Sequence, residues 1–271
     1  MTCYSCGTTL NQKNRSAEHI IPNAIGGKKK AYNLLCSECN KHYGQTIDQV
    51  LANQLGPFGY LLNIPLDRGQ HSKAVKLVTA SGKGTHYTEE PTNEQYYLAA
   101  EGDANPFKVV IDDIDYHRSV AKICLNFYLS KGYPKKYSEK VIAFVKGESK
   151  DRIFHYYFPS NEGVHALGEQ EVSHIIHLHG DRELGVLYAY IELFNMQNLI
   201  IIFSYDYDGN DLNVTYCRDV VKNVELTKTI RLGLVRHHVE SLRYTSAAMG
   251  RKMEVRLERL IHIINKAQLS N

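Results

Sequence analysis

Two Cys-x-x-Cys pairs near the start of the chain are the residues with the clearest chemistry. Cys3 and Cys6 form the first pair, and Cys36 and Cys39 form the second. A gap of two residues lets one turn present two thiolates to the same ion, and four thiolates complete the tetrahedron that zinc prefers. The matched pairs therefore predict a structural Zn²⁺ site. This site could belong to a catalytic module, or to a purely structural zinc ribbon without any catalytic role.

A second group of polar residues lies between and directly after these pairs. Glu18 and His19 are adjacent in the chain, and Asn40 follows the last cysteine. A neutral imidazole takes up a proton near pH 7, and oxygen ligands such as carboxylates and amides suit Mg²⁺. Hydrolysis of a phosphodiester needs such a base to deprotonate water and a cation to stabilise the leaving oxygen. These residue types are therefore those of metal-dependent phosphodiester chemistry.

The elements that must position these residues follow from local sequence patterns. Ala17–Pro22 is typical of a short strand, Asn23–Lys30 of a loop, and Asn33–Leu35 of the start of a return strand. A helix is predicted from Ser37 or Glu38 through about Leu55, because its apolar residues recur at helical spacing. The stretch Gly56-Pro57-Phe58-Gly59 predicts the end of this helix and a hinge to the rest of the chain.

The same segment carries several motifs in a characteristic order. It contains Glu18-His19-Ile20-Ile21-Pro22, Gly26-Gly27, Asn33-Leu34 and Cys36-Ser37-Glu38-Cys39-Asn40. In this order the motifs resemble the HNH endonucleases of the ββα-metal type, and most closely the subgroup whose finger is closed by four cysteines. The resemblance covers about the first fifty residues of the chain.

The resemblance implies a role for each polar residue of the segment. His19 is the expected general base, and Glu18 and Asn40 are the expected ligands of a catalytic Mg²⁺ or Mn²⁺ ion. Asn33 is expected to clamp the hairpin loop and thereby orient the histidine. The four cysteines are expected to bind structural Zn²⁺.

The chain also departs from the family pattern at two positions. Many relatives carry Asp where this chain has Glu18, and the longer side chain changes where a metal ion would lie. Some relatives have a second helical ligand four residues after the first, but here that residue is Gly44, which cannot coordinate. His42 lies about 200° around the helix from Asn40, so we interpret it as a phosphate contact or a solvated residue rather than a ligand of the same metal.

Positive charge is concentrated in this segment. The first fifty residues contain six basic residues and three acidic ones, and six minus three equals the formal charge of +3 of the whole chain. A local basic face is typical of proteins with a polyanionic partner. We therefore predict that DNA binds here, with RNA as an open alternative, although the loop lysines are equally typical of a solvated loop. The predicted nucleic-acid contacts are Lys28, Lys29, Lys30, Lys41 and His42.

The chain as a whole is predicted to be an α+β protein. Residues 1–56 are assigned to the zinc-stapled ββα-metal module, and residues 57–271 to a mixed α/β recognition or regulatory body with an antiparallel sheet and C-terminal basic helices. Helices are predicted from about Tyr116 to Lys131 and from Ser138 to Phe144. The predicted strands are Arg152–Phe158, Val172–His179, Leu184–Leu193, Asn198–Asp206 and Leu212–Cys217, with Asp208–Asp211 as a hairpin turn between the last two.

Two further groups of residues have alternative interpretations. His177 and His179 share one face of a strand, with Asp181 as a third candidate metal ligand, whereas His174 points to the opposite face. We favour ordinary buried or surface histidines there. The C-terminal helices carry basic residues that fit either a second phosphate-contacting surface, combined with packing in a homodimer, or a solvated helix face. These are Arg231, Arg236, His237, His238, Arg243, Arg251, Lys252, Arg256 and Arg259.

These patterns together favour a metal-dependent DNA endonuclease whose body decides where or when it cuts. Restriction or anti-phage defence is the expected context, with an activating partner or signal left open. Two alternatives remain at this point: a non-catalytic zinc module that binds nucleic acid, and an RNA-directed or toxin-type nuclease. A polar start and apolar runs too short to cross a bilayer lead us to expect a cytoplasmic protein without a membrane partner.

Overall fold

The computed structural model describes residues 1–67, 69, 114–159, 161–242 and 246–269, together with the backbone of two short strands between them. The N-terminal part begins with a two-stranded antiparallel ladder and continues with two helices. Glu18 pairs with Ala31, and His19 pairs with Lys30. The elements are β1 (Glu18–His19), a 3₁₀ turn (Asn23–Ile25), β2 (Lys30–Ala31), α1 (Ser37–Gln45) and α2 (Ile47–Leu61).

Two glycines allow the loop between β1 and β2 to fold back on itself. Gly26 ends the 3₁₀ turn with a φ of 89°, which is a left-handed conformation. A Cβ atom on Gly27 would lie 1.8 Å from the backbone oxygen of Ile21, so only glycine fits this position. The loop is then closed by a hydrogen bond from the Ile20 N–H to the Lys29 carbonyl, at 2.8 Å. This closure aligns the short strand that carries Glu18 and His19.

The prediction that the helix ends at Gly56–Gly59 is wrong. The helix is interrupted earlier, at Thr46, and then continues through Pro57 to Leu61. Proline removes one helical N–H, which leaves the carbonyl of Asn53 without its usual donor. Asn53 is exposed, and the buried side chains of Leu55 and Phe58 hold the helix against the core.

The described residues after α2 form helices, a two-stranded ladder of β3 and β4, and a six-stranded sheet. The sheet order is β10-β9-β6-β7-β8-β5, and every neighbouring pair is antiparallel. The α+β class with an antiparallel sheet is therefore confirmed. The elements are β3 (Leu77–Val78), β4 (Thr85–His86), α3 (Ile114–Ser130), α4 (Glu139–Lys146), β5 (Phe154–Tyr156), α5 (Asn161–Val164), β6 (Ser173–Asp181), β7 (Val186–Leu193), β8 (Gln197–Ser204), β9 (Leu212–Asp219), β10 (Val224–Leu226), α6 (Arg236–Ser241) and α7 (Ser246–Leu269).

The predicted hairpin between β8 and β9 is also wrong. β9 pairs with β6, whereas the two neighbours of β8 are β7 and β5. The segment with Asp208–Asp211 therefore crosses from one side of the β6–β7 pair to the other. Each edge of the β6–β7 hairpin can pair with a further strand. Local turn residues do not indicate which edge the next strand joins.

One hydrophobic cluster joins the N-terminal part to the body. It contains Leu51 and Leu55 of α2, Val120 of α3 and Ile176 of β6, all of them buried. His174 of β6 reinforces this contact, because its Nε2 lies 2.7 Å from the carbonyl oxygen of Ile25. The division of the chain at residue 56 stays a prediction. Within the described residues, no helix combines the length and apolar character that crossing a lipid bilayer requires.

Candidate functional site

The four N-terminal cysteines come together as the spacing predicts. Their sulfur atoms all lie within 4.8 Å of one another, and Sγ of Cys6 is 3.8 Å from Sγ of Cys36. A tetrahedral ion with metal–sulfur bonds of about 2.3 Å holds its ligands about 3.8 Å apart, so the four sulfurs fit one ion of that size. Cys36 is the N-cap of α1, so this cluster anchors the start of the helix that carries Asn40.

A surface depression of about 290 Å³ lies beside this cluster, between β1, the 3₁₀ turn, α1 and α2. Three of the predicted site residues, Glu18, His19 and Asn40, line it, whereas Asn33 does not. Asn33 is exposed in the bend after β2, and its side-chain amide has no hydrogen bond to the described residues. The other lining residues are Ala17, Pro22, Asn23, Ala24, Gly44, Asp48, Gln49 and Ala52.

Glu18 lies at the buried end of the depression, where side chains of α3 in the body bind its carboxylate. Its Oε1 atom accepts hydrogen bonds from the Lys122 ammonium and, at 3.0 Å, from Nδ2 of Asn126, both on α3. Asn126 in turn accepts a hydrogen bond from the hydroxyl of Tyr4, at 3.0 Å. Both donors bind the same carboxylate oxygen, and among the described residues Oε2 has no hydrogen bond.

Asp48 is a second carboxylate at this site, which the sequence interpretation missed. Its Oδ2 atom lies 2.8 Å from Nζ of Lys122, and its Oδ1 atom accepts a hydrogen bond of 3.2 Å from Ser119. Asn40, Gly44 and Asp48 are spaced by four residues and line the same depression. That spacing is a signal in the sequence that identifies Asp48 as a candidate.

The Lys122 side chain is only 2 % exposed and lies between the two carboxylates. Burial lowers the pKa of its ammonium, but Asp48 and Glu18 more than offset this, so that its pKa is raised and the group is charged. Burial also raises the pKa of Glu18, an effect that Lys122 opposes and Asp48 strengthens. The three groups thus form one cluster of two carboxyl groups and one buried ammonium.

His19 lies at the rim of the depression. Here one carboxylate lies among several basic groups, whereas at Glu18 one ammonium lies between two carboxylates. Its Nε2 atom is 3.2 Å from Oδ2 of Asp67, which follows α2. The same carboxylate is 3.0 Å from Nζ of Lys28 and 2.6 Å from Nζ of Lys30. Hydrogen bonds from Lys30, His19 and Lys28 hold the pKa of Asp67 well below its usual range. Asp67 was not found from the sequence, because nothing local links it to a strand 48 residues earlier.

The remaining predicted contact residues are distributed around this site. Lys41 and His42 are exposed on α1. Lys29 lies apart from Lys28 and Lys30, with its Nζ 5.1 Å from the ring centre of Tyr216 on β9.

Two arginines of α7 have partners on the sheet side of the body. Arg256 donates to the Pro159 carbonyl at 2.6 Å, and Arg259 donates to the Glu171 carbonyl at 2.8 Å. Arg243 lies outside the described residues. Within the described residues, the cysteine cluster is the one group of three or more His, Cys, Asp or Glu side chains close enough to hold a metal ion, so His177, His179 and Asp181 do not form such a site.

A family model matches part of this chain. Residues 3–56 match the model of the HNH endonuclease family. This range, called the HNH segment below, contains the four cysteines, Glu18, His19, Asn33, Asn40 and Asp48. The match indicates a nuclease and a nucleic-acid partner, and it ends inside α2, before Asp67 and Lys122. Comparisons with curated proteins and with solved structures find no match.

The oxygen atoms at the depression fit the divalent ion that this family implies. Glu18 and Asp48 offer carboxylate oxygens, and Asn40 offers an amide oxygen, all from residues that line one opening. Mg²⁺ and Mn²⁺ prefer such oxygen donors and keep several water ligands, so a few protein ligands are sufficient. The site therefore has a suitable donor set.

Proposed function

We propose that the protein is a metal-dependent endonuclease that hydrolyses the phosphodiester bonds of DNA. The observation that carries this proposal is the depression at which His19, Glu18 and Asn40 meet within the HNH segment. A base and oxygen donors at one opening are the groups that the attack of water on a phosphate ester requires.

His19 is the proposed general base, which takes the proton of the attacking water. Its Nε2 atom lies 3.2 Å from the Asp67 carboxylate, a distance that fits an N–H donated to that oxygen. A proton on Nε2 leaves the basic lone pair on Nδ1. Asp67 is then a positioning residue that fixes the ring and its tautomer.

Glu18 and Asn40 are the proposed ligands of the catalytic Mg²⁺ or Mn²⁺ ion. When bound, this ion supplies positive charge that stabilises the leaving oxygen. The four cysteines are the proposed ligands of structural Zn²⁺, which stabilises the HNH segment. The proposed role of Asn33 as a loop clamp is supported by the family resemblance alone.

Basic residues around the depression are the proposed phosphate contacts. Lys28 and Lys30 lie beside His19, and Lys41 and His42 are exposed on the neighbouring helix. Contacts of this kind neutralise the backbone of the nucleic acid without reading its sequence. The body, residues 57–271, is the proposed recognition or regulatory part.

The biological context that we propose is restriction or anti-phage defence in the cytoplasm. This context rests on analogy with nucleases that combine a small cutting module and a companion body. An activating partner or signal would act on the body.

Incubating supercoiled plasmid and single-stranded RNA with the protein and Mg²⁺ or Mn²⁺ tests the proposal. We expect nicking of the plasmid, and we expect His19→Ala to slow it by about a hundredfold or more, as the loss of a general base does. His262→Ala is the matched control, because His262 is exposed on α7 and outside the depression. Equal rates for His19→Ala and the wild type would contradict the role of His19, and cleavage of RNA alone would identify the RNA-directed alternative.

A non-catalytic zinc module that binds nucleic acid is the second candidate. The observation that favours it is the internal ion pairing of Glu18 and Asp48 with Lys122, which offsets part of their negative charge without a metal ion. Binding of DNA at low salt without cleavage of any substrate, under all divalent ions tested, would support this candidate.

A further inference from the structure

The most unusual feature of the site is an ammonium group in the place where a cation is expected. Nζ of Lys122 donates to Oε1 of Glu18 and lies 2.8 Å from Oδ2 of Asp48. Lys122 belongs to α3 and therefore to the part of the chain outside the HNH segment. A buried charge is stable only with partners of opposite charge, and these two carboxylates provide them.

A divalent ion and this ammonium compete for the same oxygen atoms. Mg²⁺ binds carboxylate oxygens at about 2.1 Å, so an ion that bridges Glu18 and Asp48 would lie almost where Nζ lies now. Two positive charges at that separation repel each other strongly in a buried site. The ion therefore binds both carboxylates only when Lys122 has moved away from them.

The backbone of α1 and α2 explains why Asp48 belongs to this site. Asn40, Gly44 and Asp48 line the same depression at successive intervals of four residues. Gly44 provides no ligand, and a Cβ atom at this position would have no heavy atom within 4 Å, so the space in front of it is open. Asp48 lies four residues farther along, in the first turn of α2, and offers the carboxylate that Gly44 lacks.

The charge of the cluster agrees with an exchange of cations. With both carboxyl groups ionised, Glu18 and Asp48 carry two negative charges, and Lys122 neutralises one of them. A divalent ion in place of the ammonium would leave the two carboxylates and the ion neutral together. The same side of α3 also carries Ser119 and Asn126, which bind Asp48 and Glu18. One helix of the body thus contacts both candidate ligands.

We propose that Glu18, Asp48 and Asn40 form the binding site for a divalent cation, and that Lys122 is an internal competitor that occupies this site until the cation displaces it. This inference rests on the proposed function as a metal-dependent nuclease. It adds Asp48 to the metal ligands and makes α3 of the body a control element of the HNH segment. A partner that moves α3 away from α2 would then increase the affinity for the metal.

Mn²⁺ binding to the zinc-loaded full chain tests the competition directly, by calorimetry or by the electron paramagnetic resonance signal of free Mn²⁺. We expect Lys122→Met to bind Mn²⁺ at least about tenfold more tightly than the wild type, because a competing unit charge is removed from contact with the ligands. Asp48→Asn is expected to weaken binding by about tenfold or more, because a charged ligand is lost. Lys140→Met is the control, since Lys140 is exposed on α4. Unchanged or weaker binding by Lys122→Met would overturn the proposal.

Lys122→Arg keeps the proposal testable where Lys122→Met fails to fold. The guanidinium group stays charged and binds carboxylates with two parallel hydrogen bonds, so we expect Mn²⁺ affinity to fall severalfold with the fold retained. Affinity equal to that of the wild type would contradict the competition.

The binding readout separates this inference from the proposed function. Tighter Mn²⁺ binding by Lys122→Met without cleavage of any nucleic acid would support the metal site and contradict the nuclease. Cleavage by the wild type, with equal Mn²⁺ affinities for the wild type and Lys122→Met, would support the nuclease and contradict the competition by Lys122.

Discussion

Glu192 and Glu18 are both buried next to a cationic partner, and they differ in how completely they are hydrogen-bonded. Glu192 on β7 is 0 % exposed, and both of its oxygens have donors. Glu18 on β1 is 4 % exposed, and both of its donors bind Oε1. The donors to Glu192 are His165 at 3.0 Å, Tyr190 at 2.6 Å, Asn195 at 2.6 Å and Asn198 at 3.0 Å.

The pKa values of the two carboxyls shift in opposite directions. Burial alone raises the pKa of both, but at Glu192 the hydrogen bond and charge of His165, together with the other donors, outweigh burial and lower it. At Glu18 burial dominates, and the nearby Asp48 adds to it, so that the pKa is raised despite Lys122. A buried carboxylate that its neighbours satisfy fully stabilises the fold, whereas one left partly satisfied beside an opening is available to a ligand.

The same substitution at both positions tests this contrast, and it has the largest expected effect. Glu18→Gln is expected to lower the rate of plasmid nicking by about a hundredfold or more, because a ligand of the proposed ion loses its charge. Glu192→Gln is expected to leave the rate per folded molecule unchanged but to lower the free energy of unfolding by about 3 kcal/mol or more, because His165 loses its buried partner. Urea denaturation and nicking assays measure both quantities, and an exchange of the two outcomes would refute the contrast.

Loss of the proposed zinc ion from the four cysteines tests the regions around the two glutamates. Leu51 and Leu55 of the HNH segment share one hydrophobic cluster with α3 and the sheet. We therefore expect Cys39→Ser, or extraction of the ion with a chelator, to lower the melting temperature of the whole chain in a single transition. Differential scanning calorimetry shows this directly. Two separate transitions, with only the first sensitive to the metal, would mean that the two regions unfold independently.

The pH dependence of stability isolates the contribution of the Glu192 site. Glu192 has a lowered pKa in the folded protein, so its contribution is complete above about pH 4.5, its ordinary pKa, and disappears as the pH falls through the lowered value. Burial lowers the pKa of His165, but the hydrogen bond and charge of Glu192 outweigh this and raise it. The contribution of His165 is therefore complete below about pH 6.5, its ordinary pKa, and disappears as the pH rises through the raised value.

We expect the difference in unfolding free energy between the wild type and a His165→Gln/Glu192→Gln double variant to be largest between about pH 4.5 and 6.5. Urea denaturation at a series of pH values measures it. A difference that does not change with pH would show that the pair is not ionised in the folded protein.

Asp67 provides the smallest expected effect, on the affinity for nucleic acid. Its carboxylate now engages Lys28, Lys30 and His19, which are basic groups on the proposed phosphate-binding face. Asp67→Asn is therefore expected to increase the affinity for a short DNA duplex by about two- to fivefold at low salt, with a steeper dependence on salt. Fluorescence anisotropy without added divalent ions measures binding in the absence of cleavage. Glu148→Gln, on an exposed residue after α4, is the matched control, and equal affinity of Asp67→Asn and the wild type would contradict this role of Asp67.

The accuracy of the sequence-based predictions depended on how local the determining interactions are. The helix that became α3 was predicted within two residues at each end, because its apolar stripe and its ends are properties of one continuous stretch. The hairpin predicted at Asp208–Asp211 was wrong, because the choice of a partner strand depends on the edges that the rest of the sheet leaves free. The predicted helix end at Gly56–Gly59 was wrong because burial of Phe58 outweighs the local preference of proline and glycine.

The amino-acid sequence by itself determined the four-cysteine cluster, the HNH motifs and the location of basic charge in the first fifty residues. These features depend on short spacings along the chain. A few backbone angles are enough to place two thiolates next to each other, or a strand end next to the following loop. Only the tertiary structure brought Lys122 to Glu18 and Asp67 to His19, across 104 and 48 residues of chain. The physical reason is that burial selects such partners, since a charge removed from water must meet the opposite charge wherever the packed core places it.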